Sequence, residues 1–270
     1  MNRKRETALV TGAGSGIGRE FAKLFYRDGS RVIAVSLVRE ELDSLAEELS
    51  GGPGELVTVR KDLSTPDAAA ELFRLMEKNG HEVDILVNNA GYGIMGGHLD
   101  QDFDRVQRML MLNMVTLTGL TTLFAGKMRE RGGGKILNVG STTSFQPLPN
   151  LAAYAATKHY VVAFSEALAR ELAPHNISVT CLCPGTTDTA FLTGCGVERS
   201  ARRWSVGGIA YAVAMSPADV AKAGYRGLRS GRRKVVPGLL NKLHFIGTRL
   251  LPNRVTDRIV SGFFHGRPVN

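Results

Sequence analysis

The chain is expected to fold as an α/β domain, a parallel sheet carrying helices on both faces. Short apolar, β-branched runs alternate with helical segments from end to end of the 270 residues. The links between them are short, and no linker or internal repeat divides the chain. An apolar fraction of 43% is enough for a sizeable core, and no run of eighteen apolar residues suggests a membrane span.

Thr7–Val10 reads as the first strand and leads through a glycine-rich loop into a helix from Ile17 to Asp28, closed by Gly29. Arg31–Ser36 is the second strand, followed by a Glu-rich helix through Leu49. Leu56–Val59 is the third, and a helix from Pro66 runs to Gly80. Asp84–Val87 and Lys135–Val139 are further strands separated by one long helix over residues 102–130. A helix containing Tyr154 runs to Ala173, and Ile177–Leu182 is the sixth strand. A helix from Pro217 precedes a last short strand, Lys234–Val236.

Charge is uneven. From Arg199 to Asn270 there are fourteen Lys or Arg against two acids, a local net of +12 against +9 for the whole chain. Such a region suits an anionic membrane, nucleic acid or an acidic partner, but it carries no nucleic-acid module, so nucleic-acid binding is not expected. The cysteines Cys181, Cys183 and Cys195 lack paired metal spacing. They point to a reduced, cytoplasmic setting, with Cys181 and Cys183 on one strand face and no metal site. The amino terminus lacks the pattern of a signal peptide.

Two features carry chemistry. Thr11-Gly12-Ala13-Gly14-Ser15-Gly16-Ile17-Gly18 joins the first strand to the first helix. There a pyrophosphate can approach the backbone at the N–H groups of the helix amino terminus. Tyr154 and Lys158 lie one helical turn apart, with Ser141 thirteen residues before the tyrosine. A phenol titrating near pH 10 is a poor proton shuttle, and a neighbouring ammonium lowers its pKa. Ser141 can hold a substrate oxygen beside it. Tyr-x-x-x-Lys alone is a weak pattern and would read as a surface pair; the features upstream of it decide otherwise.

The Gly-x-x-x-Gly-x-Gly spacing, the turn Asn88-Asn89-Ala90-Gly91 and the Ser141/Tyr154/Lys158 set together resemble the short-chain dehydrogenase/reductase family, in its compact single-domain branch, over about residues 6–190. The resemblance implies a Rossmann-type, doubly wound, three-layer α/β/α domain with a seven-stranded sheet of order 3-2-1-4-5-6-7. It implies a nicotinamide cofactor across the carboxyl edge. By the same resemblance Gly12, Ser15, Gly16, Ile17 and Gly18 form the pyrophosphate loop, Asp62 and Leu63 hold the adenine, and Asn88, Ala90 and Gly91 border the adenosine ribose. Asn113 kinks the long helix and binds a relay water. Tyr154 is the general acid or base, Lys158 lowers its pKa and binds the nicotinamide ribose, and Ser141 polarises the substrate oxygen. Pro184, Gly185 and Thr189, with Thr186 and Thr187 as alternatives, cradle the nicotinamide.

An acid closing the second strand would accept ribose hydroxyls and repel a 2′-phosphate. Ser36 stands there instead, and Arg39 is near enough to reach a phosphate, so NADP(H) is favoured over NAD(H). Arg39 also fits an ordinary solvated helix start. Tyr92, Ile94, Ser141, Thr143, Leu148 and Phe191 are candidates for the substrate wall, with a lid over about 186–216 that includes Leu192 and Trp204. Their apolar character suggests a lipophilic ketone, aldehyde or alcohol. The domain is taken as residues 1–237. Residues 238–270 form a basic amphipathic extension in which Leu239, Leu243, Ile246 and Leu250, then Val255, Ile259 and Phe263, share helical spacing. It suits packing on the domain or on a second subunit in a homodimer or homotetramer, or peripheral contact with a membrane. An NADP(H)-dependent carbonyl reductase or alcohol dehydrogenase is the leading reading. A 3-oxoacyl-thioester reductase and, from another class, a non-catalytic nucleotide-sensing protein are the alternatives.

Overall fold

The computed structural model describes residues 5–187 and 214–250. Seven strands pair in parallel in the order β3-β2-β1-β4-β5-β6-β7, as the alternation and the resemblance imply. They are β1 Thr7–Thr11, β2 Arg31–Ser36, β3 Glu55–Arg60, β4 Ile85–Asn88, β5 Gly134–Val139, β6 Ile177–Leu182 and β7 Lys234–Val235. The helices flanking the sheet are α1 Gly16–Arg27, α2 Arg39–Glu48, α3 Ala68–Lys78, α4 Phe103–Leu110, α5 Leu117–Glu130, α6 Ala152–Glu171 and α7 Pro217–Arg229. Helix α8, Leu239–Leu250, follows β7.

Because neighbouring residues of a strand point to opposite faces, each strand supplies two cores. Ala8, Val10, Val32, Val87 and Leu137 meet Phe21 and Phe25 of α1, Leu42 and Leu45 of α2, and Val220 and Leu228 of α7. Leu9, Ile33, Leu86 and Ile136 meet Leu72 and Met76 of α3 and Leu120, Phe124 and Met128 of α5. Both faces of the sheet are therefore dry, which is why its strands read as continuous apolar runs and not as alternating ones. The α4–α5 segment is long and apolar enough to cross a membrane. Its buried residues Leu117, Leu120, Thr121, Phe124, Ala125 and Met128 are instead the inner stripe of a core helix.

The strand order reverses its winding between β1 and β4, and a doubly wound sheet binds ligands outside the carboxyl ends of its strands at such a point. Thr11 ties the two strand ends together. Its hydroxyl accepts the N–H of Asn89 and of Ala90, each at 3.0 Å, and donates to Val87 O at 3.3 Å. The Asn89 amide donates back to Thr11 O at 2.9 Å and to Gly12 O at 3.2 Å.

The long helix expected over 102–130 is interrupted around Asn113, where the resemblance implies a kink. Residues 103–130 are not one regular helix: Met111–Thr116 forms a π-helical turn between α4 and α5. A 3.6-residue period cannot reveal it, because π-bulges widen a helix locally without a composition of their own.

A Cβ built on Gly18 would lie 2.1 Å from Gly12 O, whereas one on Gly126 in α5 meets nothing within 4 Å. Gly18→Ala should therefore destabilise the fold by about 2 kcal/mol or more through backbone displacement, and Gly126→Ala should be neutral or stabilising by up to about 1 kcal/mol. Urea unfolding of both variants checks this.

Candidate active site

The candidate site residues among those described gather along the carboxyl edge of the sheet. At its centre the loop from β1 to α1 turns at Gly12, whose φ of +64° favours glycine. Ser15 is the N-cap of α1, extended and exposed, with no side-chain bond to the helix. Arg19 staples the loop to α2: its guanidinium donates to Gly14 O at 3.1 Å, to Glu41 O at 3.2 Å and to Ser44 and Glu48. A backbone turn this tight, with bare N–H groups at a helix amino terminus, fits a dinucleotide pyrophosphate.

Beside the loop, Asp62 follows β3. Its carboxylate accepts Ser64 N at 2.8 Å and Ser64 Oγ at 2.6 Å and pairs with Arg108 at 2.7 Å. Burial pushes this carboxyl up, but the Ser64 bonds and the Arg108 charge outweigh it and hold it below the usual range. Leu63 is buried and its carbonyl accepts Thr116 Oγ1 at 2.8 Å. Asn88 is buried under the sheet edge and donates to Thr121 and Asn138, each at 2.9 Å. Its role is thus to brace β4 against β5 and α5, while Ala90 and Gly91 line the edge above.

The predicted catalytic residues converge. Ser141 follows β5, is buried, and its Oγ accepts Thr143 N at 3.1 Å. Tyr154 and Lys158 sit in the first two turns of α6 and are both buried, with Lys158 Nζ 5.9 Å from the Tyr154 ring centroid. Lys158 Nζ donates to Val139 O at 2.9 Å. Burial pulls its pKa down to about 8, against a smaller upward pull from Cys181 and Cys183. Those two thiols, Cys181 in β6 and Cys183 just beyond it, are buried 3.7 Å apart as core residues.

Asn113 occupies the π-helical turn and is buried. Its amide donates to Tyr92 O at 3.0 Å and to Thr157 Oγ1 at 3.1 Å, and its Oδ1 accepts Tyr92 N at 3.3 Å. Thr157 in turn donates to Tyr154 O at 2.7 Å. A Cβ on Gly91 would lie 2.8 Å from Asn113 Oδ1 and 3.6 Å from Lys158 Nζ, so glycine keeps the space between them open. Thr157 was missed in the sequence, although its place three residues after Tyr154 puts it on the same helix face.

On the substrate side, Ile94 and Tyr154 share a small apolar cluster with Val106 and Met109, against which Tyr92, Leu110 and Leu151 pack. Tyr92 OH donates to Arg105 O at 2.8 Å, and burial raises its pKa against the pull of Arg108 and Arg105. Thr143 Oγ1 is buried with no partner among the described residues, and Leu148 is half-buried. Pro184 O accepts Thr142 N at 2.9 Å, and Thr187 Oγ1 donates to Gly185 O at 3.1 Å. Thr189 and Phe191 lie outside the described residues, as do Leu192, Trp204 and most of the expected lid.

Helix α8 covers this end of the site. His244 Nε2 is 3.0 Å from Gln146 Oε1, and Phe245 and Phe145 meet at 4.7 Å between ring centroids. A Cβ on Gly185 would strike the Asn241 side chain. The outer face of α8 is bare: Leu239, Leu240, Leu243, Ile246 and Leu250 are 50–77% exposed.

At the far end, Ser36 closes β2 as expected and is buried, but its hydroxyl donates to Glu41 Oε2 at 3.1 Å. Arg39 is exposed, and no bond among the described residues links it to Ser36. Glu41 was overlooked in the sequence because it lies among other acids at a helix start; its spacing of five residues after the strand end was the available signal.

Against known proteins, the short chain dehydrogenase family model matches residues 6–197. Pig (Sus scrofa) "Carbonyl reductase [NADPH] 2" is 37% identical over 191 residues, covering 70% of this chain and 75% of that protein. A short-chain dehydrogenase from Sphingobium yanoikuyae solved with NADPH is 27% identical, with a TM-score of 0.79 over 98% of this chain and 96% of that one. A Brucella melitensis 3-ketoacyl-(acyl-carrier-protein) reductase solved with NADH is 31% identical, with a TM-score of 0.72 over 86% and 96% of the two chains. The chain spans about a third (32%) of the length of other curated relatives, mycobacterial proteins named probable oxidoreductase EphD, at 34% identity over 188 residues. With the parallel sheet, the glycine turn and the serine, tyrosine and lysine at its carboxyl edge, this match over most of its length places the chain in the short-chain dehydrogenase/reductase family.

Proposed function

We propose that the chain interconverts a ketone or aldehyde with its alcohol, using a nicotinamide dinucleotide and Tyr154 as the proton-transfer group. The observation that carries this reading is the buried ammonium of Lys158 beside the Tyr154 ring. A cation is costly to bury, and here its charge favours the phenolate over the phenol. When bound, the dinucleotide supplies or accepts a hydride at the substrate carbon.

The chain's own residues do the rest. The amides of the Gly12–Gly18 loop hold the pyrophosphate, with Ser15 and Ile17 at its mouth. Asp62 and Leu63 border the adenine, Ala90 and Gly91 the ribose, and Pro184, Gly185 and Thr187 the nicotinamide end. Ser141 already accepts the N–H of Thr143, which leaves its proton for the substrate oxygen. Tyr154 gives its proton to that oxygen in reduction and takes it back in oxidation. Asn113, fixed at both ends of its amide, and Thr157 hold the tyrosine's backbone against the π-helical turn. With a pKa of about 8, Lys158 is mostly charged at pH 7.

A lipophilic substrate is supported by the apolar cluster around Ile94 and Tyr154, with Thr143 Oγ1 free to accept or donate one polar contact. A 3-oxoacyl thioester is the second reading, favoured by the resemblance to a 3-ketoacyl reductase. Oxidation of reduced dinucleotide against bulky ketones, aldehydes and acyl thioesters separates the two. We further infer that the exposed leucines of α8, in a carboxyl region whose sequence from Arg199 carries a net charge of +12, rest on an anionic lipid surface.

Tyr154→Phe should lower kcat by 10²–10⁴-fold and leave dinucleotide affinity within about threefold, as read by stopped-flow kinetics and cofactor fluorescence; unchanged turnover would sink the assignment. For Lys158 the sign is opposite to that of a stabilising charge. Its pKa is about 8 folded and 10.5 unfolded, so the unfolded state binds more protons between those values and this group's contribution to stability rises with pH across that window. Lys158→Met should lose turnover and also lose that rise, so that the stability of the wild type relative to the variant grows from pH 8 to 10.5; parallel urea titrations measure it. Vesicle cosedimentation should show binding to anionic but not neutral lipid, reduced at least fivefold by Leu243→Ser with Ile246→Ser.

A further inference from the structure

We infer that Glu41, and not a residue at the end of β2, reads the adenosine ribose, and that it selects NAD(H) over NADP(H). This rests on reading the glycine loop as a dinucleotide site. In such sheets the adenosine ribose lies between the loop and the carboxyl end of β2, and an acid there accepts its 2′-hydroxyl. The β2 end offers Ser36, but the space is not left without a carboxylate. Glu41, in the first turn of α2, turns back so that its Oε2 accepts Ser36 Oγ at 3.1 Å. It also hangs over the loop: a Cβ on Gly14 would lie 2.2 Å from Glu41 Oε2 and 2.7 Å from Ser36 Oγ. Loop, strand end and carboxylate therefore converge on one point.

That position is held from behind. Arg19 joins Gly14 O to Glu41 O and to Ser44 and Glu48 of α2, and Ala13 N donates to Val35 O at 3.0 Å. These bonds hold the Glu41 backbone against the loop and β2, and the Ser36 hydroxyl holds its carboxylate over the loop. A ribose 2′-hydroxyl entering here gains an acceptor, whereas a 2′-phosphate meets like charge. The cations at hand are placed differently. Arg60 is exposed and donates to Leu37 O at 3.3 Å, and Arg39 is exposed on the outer turn of α2. The earlier expectation of NADP(H) counted Ser36 and Arg39 and left Glu41 out.

Direct titration of the purified full chain with NADH and with NADPH, followed by cofactor fluorescence, tests this without requiring turnover. The wild type should bind NADH at least tenfold more tightly. Glu41→Gln, nearly isosteric and checked for an unchanged melting temperature, should shift that ratio at least tenfold toward NADPH. Arg39→Ala should leave the wild-type ratio within threefold. A wild type that binds NADPH more tightly overturns the inference. So does a Glu41→Gln ratio that does not move, or an Arg39→Ala variant that alone loses NADPH. If neither dinucleotide binds, the reading of the loop falls and this inference with it. Tight NADH binding reversed by Glu41→Gln, with no turnover on any carbonyl, supports the inference while overturning the proposed reaction.

Discussion

Lys158 keeps an ammonium out of water, and the surrounding structure is arranged to tolerate it. Its hydrogen-bond acceptor is Val139 O at the end of β5, a carbonyl available because the chain leaves the sheet there to reach Ser141. The cost shows in its pKa of about 8, a shift worth about 3 kcal/mol at neutral pH by linkage. A domain stable by about 5–15 kcal/mol gives up a sizeable share of its margin to that one charge. The two dry cores on either face of the sheet provide the surplus that makes it tolerable.

From this charge the rest of the site follows. The lysine must reach the tyrosine from one turn below, so both belong to α6, and α6 must lie against β5. Asn113 faces Tyr92 and Thr157 together from the widened turn. The Thr11–Asn89 ties fix the central strand ends so that the glycine loop and α6 face the same edge. The glycine loop and the Tyr154/Lys158 pair are thus coupled through β1, β4 and β5, rigid elements and not loops, as precise positioning requires.

Much of this was legible in the sequence because it is written in short, local patterns. Apolar, β-branched runs marked all seven strands, and the Ser141/Tyr154/Lys158 spacing marked the chemistry. What was hidden depends on contacts across sequence. Glu41 reads as one acid in a Glu-rich helix until its carboxylate is seen at Ser36. Thr157 is one threonine in an alanine-rich stretch until Asn113, 44 residues away, reaches it. Residues 239–250 form a helix, but Leu239, Leu243, Ile246 and Leu250, the stripe that periodicity offered for packing, are exposed, and His244 and Phe245 meet Gln146 and Phe145 instead, because periodicity states that a face is apolar and not what lies against it.

The widened turn at Met111–Thr116 has an evolutionary consequence. A π-helical turn amounts to one residue more than the regular helix on either side can accommodate. Removing any one residue there would let α4 and α5 merge into a continuous helix with better-formed hydrogen bonds, while swinging Asn113 about 100° around the axis. A deletion at this place would exchange Asn113's buried bonds to Tyr92 and Thr157 for regular helical ones and would be adverse to the reaction. Lineages released from selection for turnover would be expected to shed the extra residue early, so the length of this helix is a record of whether the chemistry is still in use.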